Sequence, residues 1–284
     1  MTFIWGATFL FTKIGLNDCS PSVYMLLRFS IALLLTIIIF FNSLKNIDKK
    51  TFIHGTILGI CFGTGFVLQT FGLKFTSISK SSFITGITVV LTPFAYKLIT
   101  RKYVKLWQKL GVIVCFIGLW LFTKPRLDVV NLGDALTLLS TVCWALYITF
   151  MDVFTKNSTR REETAQLLFM QILATFPFPL ITLFLFDSSH GFAINWTPSL
   201  ILSLSFNAIL ATFLVTFIQT SVQRYTSPVK AALIYSLEPV IATYLAVMIA
   251  GEILSGAEYI GALIMMGGVL LSEFGKFIIP SKSD

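Results

Sequence analysis

Residues 68–80, LQTFGLKFTSISK, return 150 positions later as residues 218–230, IQTSVQRYTSPVK. Gln69, Thr70, Thr76, Ser77 and Lys80 are identical to Gln219, Thr220, Thr226, Ser227 and Lys230. Leu68, Lys74 and Phe75 meet Ile218, Arg224 and Tyr225. The same shift lays Gly111 on Gly261 and Gly118 on Gly268. Slightly smaller shifts bring Trp5 near Trp144 and Arg28 near Gln171. One structural unit therefore occurs twice, and the fold turns on how the chain runs between the copies.

The composition says where those copies sit. Of 284 residues, 56% are hydrophobic, 14% aromatic and 12% charged, with a mean hydropathy of +0.85. A soluble domain carries about 25% charged residues, so a water-facing surface cannot be coated, and a soluble enzyme, a DNA-binding module and a disordered scaffold are excluded. The apolar runs fall at 1–16, 22–42, 52–73, 78–99, 107–123, 131–151, 164–186, 197–222, 228–250 and 256–275. About 20 residues span the hydrocarbon core as a helix. Barrel strands would be shorter and would alternate, which Ile31–Phe41 does not. The expectation is an all-α polytopic membrane protein of ten transmembrane helices. The first run is short for a crossing, which points to native residues before Met1, and it has no signal-peptide cleavage pattern.

Each unit holds five spans, so the second enters the membrane upside down. The division expected is 1–125 and 126–284, two inverted repeats around a central cavity, an arrangement typical of secondary transporters. With both termini inside, fifteen Lys and Arg lie on the inner side and four, Lys74, Lys80, Lys124 and Arg126, on the outer. By the positive-inside rule both termini are cytoplasmic. The net charge of +8 follows from this bias and calls for no nucleic-acid partner. Cys19, Cys61, Cys115 and Cys143 form no CxxC pair and imply no disulfide, metal or cofactor.

Polar groups inside the spans are the site candidates, because such groups usually face a cavity or a partner. Glu238 lies near the middle of span nine, beside Pro239, and either binds a proton or a cationic substrate group or is satisfied by neighbouring helices. Arg28 holds a substrate carboxylate, pairs with Glu238, or snorkels to the headgroups, and Lys13 invites the last reading more strongly. Gln69 and Gln219, with Thr70 and Thr220, are cavity hydrogen-bonders or interhelical glue, as are Gln171 and Asn207. Trp5, Thr8 and Phe9 share a helical face, as do Trp144, Tyr147 and Met151, and Tyr235 with Glu238. Such faces suit an apolar, aromatic or cationic substrate, or plain packing. Gly55, Gly59, Gly63, Gly65, Gly261, Gly267 and Gly268 are expected at helix interfaces.

Trp5-Gly6-Ala7-Thr8-Phe9 with Lys13, Ser20-Pro21 and Arg28-Phe29 resemble the opening of the drug/metabolite transporter superfamily, EamA type. Leu132-Gly133-Asp134-Ala135 and Trp144-Ala145-Leu146-Tyr147 resemble the start of that family's second half. Leu237-Glu238-Pro239-Val240, Gly251-Glu252, Gly261-Ala262 and Gly267-Gly268-Val269 are its most specific stretch. The resemblance implies a ten-helix bundle that moves small metabolites such as amino acids across the bacterial cytoplasmic membrane. Two departures stand out: a shortened first helix, and Thr100-Arg101-Lys102 where the repeat mate of Gly251-Glu252 would fall.

The expected function is secondary transport of a small amphipathic metabolite by alternating access, with a small-molecule substrate, the lipid bilayer and a coupling proton at Glu238 as partners. S-adenosylmethionine or a nucleotide-type metabolite is the alternative cargo. Other classes are an uncoupled facilitator and a membrane-embedded enzyme. His54 and His190 lie far apart, and HExxH, Walker, GxSxG and GxGxxG motifs are absent, which argues against an enzyme.

Overall fold

Prolines and serines punctuate the helices. In a computed structural model of the chain, describing residues 1–123, 131–156, 161–187, 193–250 and 255–278, α1 (Thr2–Gly15) leads to α2 (Pro21–Phe40), with Pro21 in its first turn and Ser20 accepting the Val23 N–H. The carboxylate of Asp48 accepts the Thr51 N–H at 2.7 Å and caps α3 (Lys49–Phe75); hydrogen bonding to Thr51 holds its carboxyl below the usual carboxylate value. Next come α4 (Ile78–Gly86), α5 (Thr88–Thr100) and α6 (Leu106–Thr123). A reciprocal cap between Asn131 and Asp134 starts α7 (Leu132–Thr155).

The remaining helices are α8 (Arg161–Thr175), α9 (Pro177–Thr182), α10 (Pro198–Ser205), α11 (Val215–Val222), α12 (Pro228–Tyr235), α13 (Glu238–Ala250) and α14 (Gly256–Ile278). A π-helical segment, Phe206–Leu214, joins α10 to α11, and another, Leu183–Asp187, extends α9. Grouped by continuity, α4 with α5, α8 with α9, α10 with α11 and α12 with α13 each make one span, giving the ten expected. Among the described residues six stretches are long and apolar enough to cross a membrane, and Leu106–Phe122 and Tyr259–Ser272 are shorter apolar helices. Among the described residues the β-type pairing is a single bridge, Cys19 to Ile194.

The repeat is visible in local geometry. Ser77 accepts the Lys80 N–H to cap α4, and Ser227 accepts the Lys230 N–H to cap α12. Span four breaks after Gly86 and span nine after Tyr235, within one residue of the 150-residue shift. Spans five and ten pack directly on one another. A Cβ on Gly111 would stand 2.7 Å from the Gly268 carbonyl oxygen, and one on Gly118 would stand 2.8 Å from that of Gly261. The shift turns the first contact into the second, as a two-fold axis between antiparallel helices requires. Small residues let these backbones touch.

Gly55, Gly59 and Gly63 press on Met170, Gln171 and Phe178 of span seven, as expected of packing positions. Gly267 corrects the expectation. A Cβ there would meet nothing within 4 Å, because it points away from span five. The expected division at 125/126 lies outside the described residues, as do Gly251-Glu252 and His190.

Candidate functional site

Spans four and nine deliver their breaks to the same place. A cavity with about 670 Å³ of empty space, open solvent at its mouth included, is lined by Thr85, Gly86 and Thr88 from span four and by Ala232, Tyr235, Ser236 and Glu238 from span nine. Around these stand Trp5, Thr8 and Phe9 of α1, Phe62, Phe66 and Gln69 of α3, Trp144, Tyr147 and Ile148 of α7, and Gln219 of α11. Eight of the ten site candidates, Trp5, Phe9, Gln69, Trp144, Tyr147, Gln219, Tyr235 and Glu238, therefore converge on one space. They come in repeat-related couples, Trp5 with Trp144 and Gln69 with Gln219, so the cavity straddles the pseudo-two-fold.

The walls are aromatic. Phe66 meets Trp144 edge to face with centroids 5.0 Å apart, Phe62 meets Trp144 at 5.7 Å, and Trp5 meets Tyr235 at 4.9 Å. These are favourable geometries for ring quadrupoles, and they leave ring surface for an apolar or cationic guest. The polar groups are sparse and partly unspent. Gln171 donates to the Tyr147 hydroxyl at 3.0 Å, which donates to Gln219 Oε1 at 3.2 Å. Gln69 donates to Thr85 Oγ1 at 3.1 Å. Gln219 Nε2, Trp144 Nε1 and Thr88 Oγ1 are buried without a partner. The Glu238 carboxylate makes no hydrogen bond or ion pair among the described residues. Buried polar groups are ordinarily satisfied, so this wall offers donors and one carboxylate to something else.

Several sequence readings change here. Gln171 lies behind Tyr147 and outside the lining, orienting the hydroxyl it bonds. Arg28 does not snorkel, being 2% exposed, and does not pair with Glu238. Its Nε donates to Thr212 Oγ1 at 2.7 Å, its guanidinium lies 4.4 Å over the Phe66 ring, and one terminal nitrogen has no partner. Arg28 thus sits one ring behind the cavity, held by the π-helical segment whose wide turn lets Thr212 bond the Asn207 carbonyl at 2.8 Å. Lys13 does not snorkel either; its ammonium donates to the Leu73 and Thr76 carbonyls at 2.6 and 2.9 Å. Asn207 donates to Tyr24 and Thr12 and is interhelical glue. Thr70, Thr220 and Met151 are buried but outside the lining.

Phe62, Phe66, Thr85 and Thr88 escaped the sequence reading. For the threonines a signal existed, since subtracting 150 from Tyr235 and Glu238 lands on Thr85 and Thr88. The phenylalanines had none, because their repeat counterparts are Thr212 and Thr216.

One end of the bundle is latched. Lys80 Nζ forms an ion pair with Asp134 Oδ2 at 2.7 Å, while Thr76 donates to Asp134 Oδ1 at 2.7 Å and Asn131 donates to the Phe75 carbonyl at 3.1 Å. These bonds tie the turn after α3 to the start of α7.

A family model described as the EamA-like transporter family matches residues 1–124 and 131–274. An "Uncharacterized transporter" of Archaeoglobus fulgidus is 32% identical over 275 residues, covering 95% of this chain and 82% of the relative. A "Probable amino-acid metabolite efflux pump" of Salmonella typhimurium is 25% identical over 278 residues, covering 96% and 92%. A solved crystal structure superposes with a TM-score of 0.78 at 16% identity, over 99% of this chain and 96% of its own, a likeness of fold.

Proposed function

The chain belongs to the EamA-like transporter family, a transporter rather than an enzyme, and on that premise we propose that it is a secondary transporter of small amphipathic metabolites, amino acids and their derivatives foremost. The observation that carries this is the unspent polarity of the cavity. Glu238 offers an acceptor to an ammonium group or a proton. Trp144 Nε1 and Gln219 Nε2 offer donors to a carboxylate or carbonyl. The rings of Phe62, Phe66, Trp5 and Tyr235 take the apolar remainder, and the guanidinium of Arg28 behind Phe66 adds positive potential on the donor side. A zwitterion with an apolar side chain matches all of these. That a similar protein is named an amino-acid metabolite efflux pump supports the same class.

Alternating access fits the asymmetry between the ion-paired end and its repeat-related counterpart, and the charge bias supports cytoplasmic termini. Counterflow in proteoliposomes tests the reading. Vesicles preloaded with mixed amino acids should accumulate labelled amino acid above protein-free vesicles, with competition by unlabelled substrate. Accumulation confined to vesicles preloaded with S-adenosylmethionine would replace the cargo. No accumulation from folded protein with either would overturn the reading. Glu238→Gln is expected to lower uptake at least about tenfold, equivalent to ~1.4 kcal/mol of binding, and to flatten its pH dependence. Unchanged uptake and pH profile would remove Glu238 from the site.

A further inference from the structure

A second cavity lies at the end of the bundle that the charge bias assigns to the cytoplasm, with about 930 Å³ of empty space, open solvent included. Four cations line it from three parts of the chain: Lys105 ahead of α6, Lys156 after α7, and Arg224 and Lys230 on either side of the turn between spans eight and nine. Asp152 is the acid among the described lining residues, 4% exposed, and its carboxylate makes no hydrogen bond or ion pair among the described residues. The neutral lining groups also offer donors. Ser272 is 6% exposed with its hydroxyl unpartnered, and the Trp107 indole N–H is buried without an acceptor. A hollow with four cations against one acid in its lining, and idle donors, suits the oxyanion of a phosphate group.

We propose that this cavity is a phosphate-binding site distinct from the central cavity, occupied by the headgroup of an acidic phospholipid. Its place at the helix ends puts it at headgroup depth, where basic pockets between transmembrane helices hold anionic headgroups. Trp107, Tyr96 and Tyr225 around it are side chains that favour that depth. A phosphorylated solute from the cytoplasm presents the same chemistry, and the experiment separates the two sources. The site stands whether or not the central cavity carries amino acids, because its readout is binding and not transport.

The purified protein in detergent is heated with short-chain phosphatidylglycerol, short-chain phosphatidylcholine, or inorganic phosphate balanced against chloride. Phosphatidylglycerol should raise the unfolding midpoint by about 3–6 °C at hundredfold excess over its dissociation constant, and phosphatidylcholine should not. An equal rise with inorganic phosphate would assign the occupant to a free phosphorylated solute. Two substitutions should move the affinity in opposite directions, which misfolding cannot mimic. Lys156→Gln should weaken it and Asp152→Asn strengthen it, each by roughly threefold or more. Lys49→Gln/Lys50→Gln, which removes basic charge at the start of α3, should leave it unchanged. Equal effects of the two lipids with phosphate silent, or Lys156→Gln and Asp152→Asn shifting affinity alike or not at all, would overturn the proposal.

Discussion

Residues 74–80 and 224–230 are one turn written twice, and they end in opposite surroundings. Each has a basic residue, an aromatic, Thr-Ser and a lysine three positions on, and each serine caps the helix that follows. At the first copy, Lys80 reaches Asp134 while Lys13 fills the carbonyls of Leu73 and Thr76. At the second, Lys230 borders a hollow, and the carboxylate nearby is Asp152 at the other end of α7. Asp134 and Asp152 are eighteen residues apart, about 27 Å along one helix. The repeat dictates backbone, caps and breaks. Residues outside the repeated turn decide what each copy meets: Lys13 of α1 and Asp134 of α7 at the first, and Gln108 of α6, which donates to Ser227 at 2.7 Å, at the second.

The largest effect should come from removing the latch. Asp134→Asn leaves Lys80 without its counter-charge and weakens the Thr76 and Asn131 bonds. Breaking a buried pair costs roughly 3–5 kcal/mol. With the Lys80 side chain 25% exposed, about 2–3 kcal/mol is expected in thermal unfolding. Asp152→Asn should be neutral or stabilising, since it removes a buried charge without a close partner. Equal losses for the two would erase the distinction between the ends.

An intermediate effect tests the axis that relates them. Gly118→Ala and Gly268→Ala each push a methyl to within 2.6–2.8 Å of the opposing backbone and should each cost about 1–3 kcal/mol. Gly267→Ala, one residue away and facing open space, should instead gain up to about 1 kcal/mol of helix propensity. If Gly267→Ala proves as damaging as Gly268→Ala, the face assigned to span ten is wrong. The smallest effect concerns the shared part of the turn. Ser77→Ala should lose about 1 kcal/mol of cap, and Ser227→Ala about 1 kcal/mol more, because Ser227 Oγ also accepts the buried Gln108 amide at 2.7 Å. Equal losses would show that the Gln108 bond adds nothing to the second turn.

Much of the site was legible because the repeat was. Trp5 with Trp144 and Gln69 with Gln219 could be paired without coordinates, and a two-fold axis carries paired residues toward a common centre. Glu238 and Tyr235 were legible as polar and aromatic groups beside Pro239 in an apolar run. For Arg28 the sequence leaves a substrate carboxylate, Glu238 and the headgroups as alternatives, and for Lys13 it favours the headgroups, because depth in the membrane is counted along a helix, whereas their partners, Thr212, Phe66, Leu73 and Thr76, lie on other helices. Gln171 was legible as a polar group but not as a support for Tyr147.

The sequence by itself determined what depends on neighbours along the chain. That covers ten apolar spans, their caps and breaks, the duplication, and the scarcity of charge that demands a bilayer. Only the tertiary structure decided how each span is rotated about its axis. That rotation sets Gly268 against span five and Gly267 away from it, brings Phe62 and Phe66 to the cavity, hides Arg28 behind a ring, and sets one copy of a turn against Asp134 and the other beside a hollow. The physical reason is that helical periodicity names a face but not the face's partner. Partnership is settled by packing between segments far apart in the chain, where half a turn of rotation exchanges a cavity wall for a lipid-facing one.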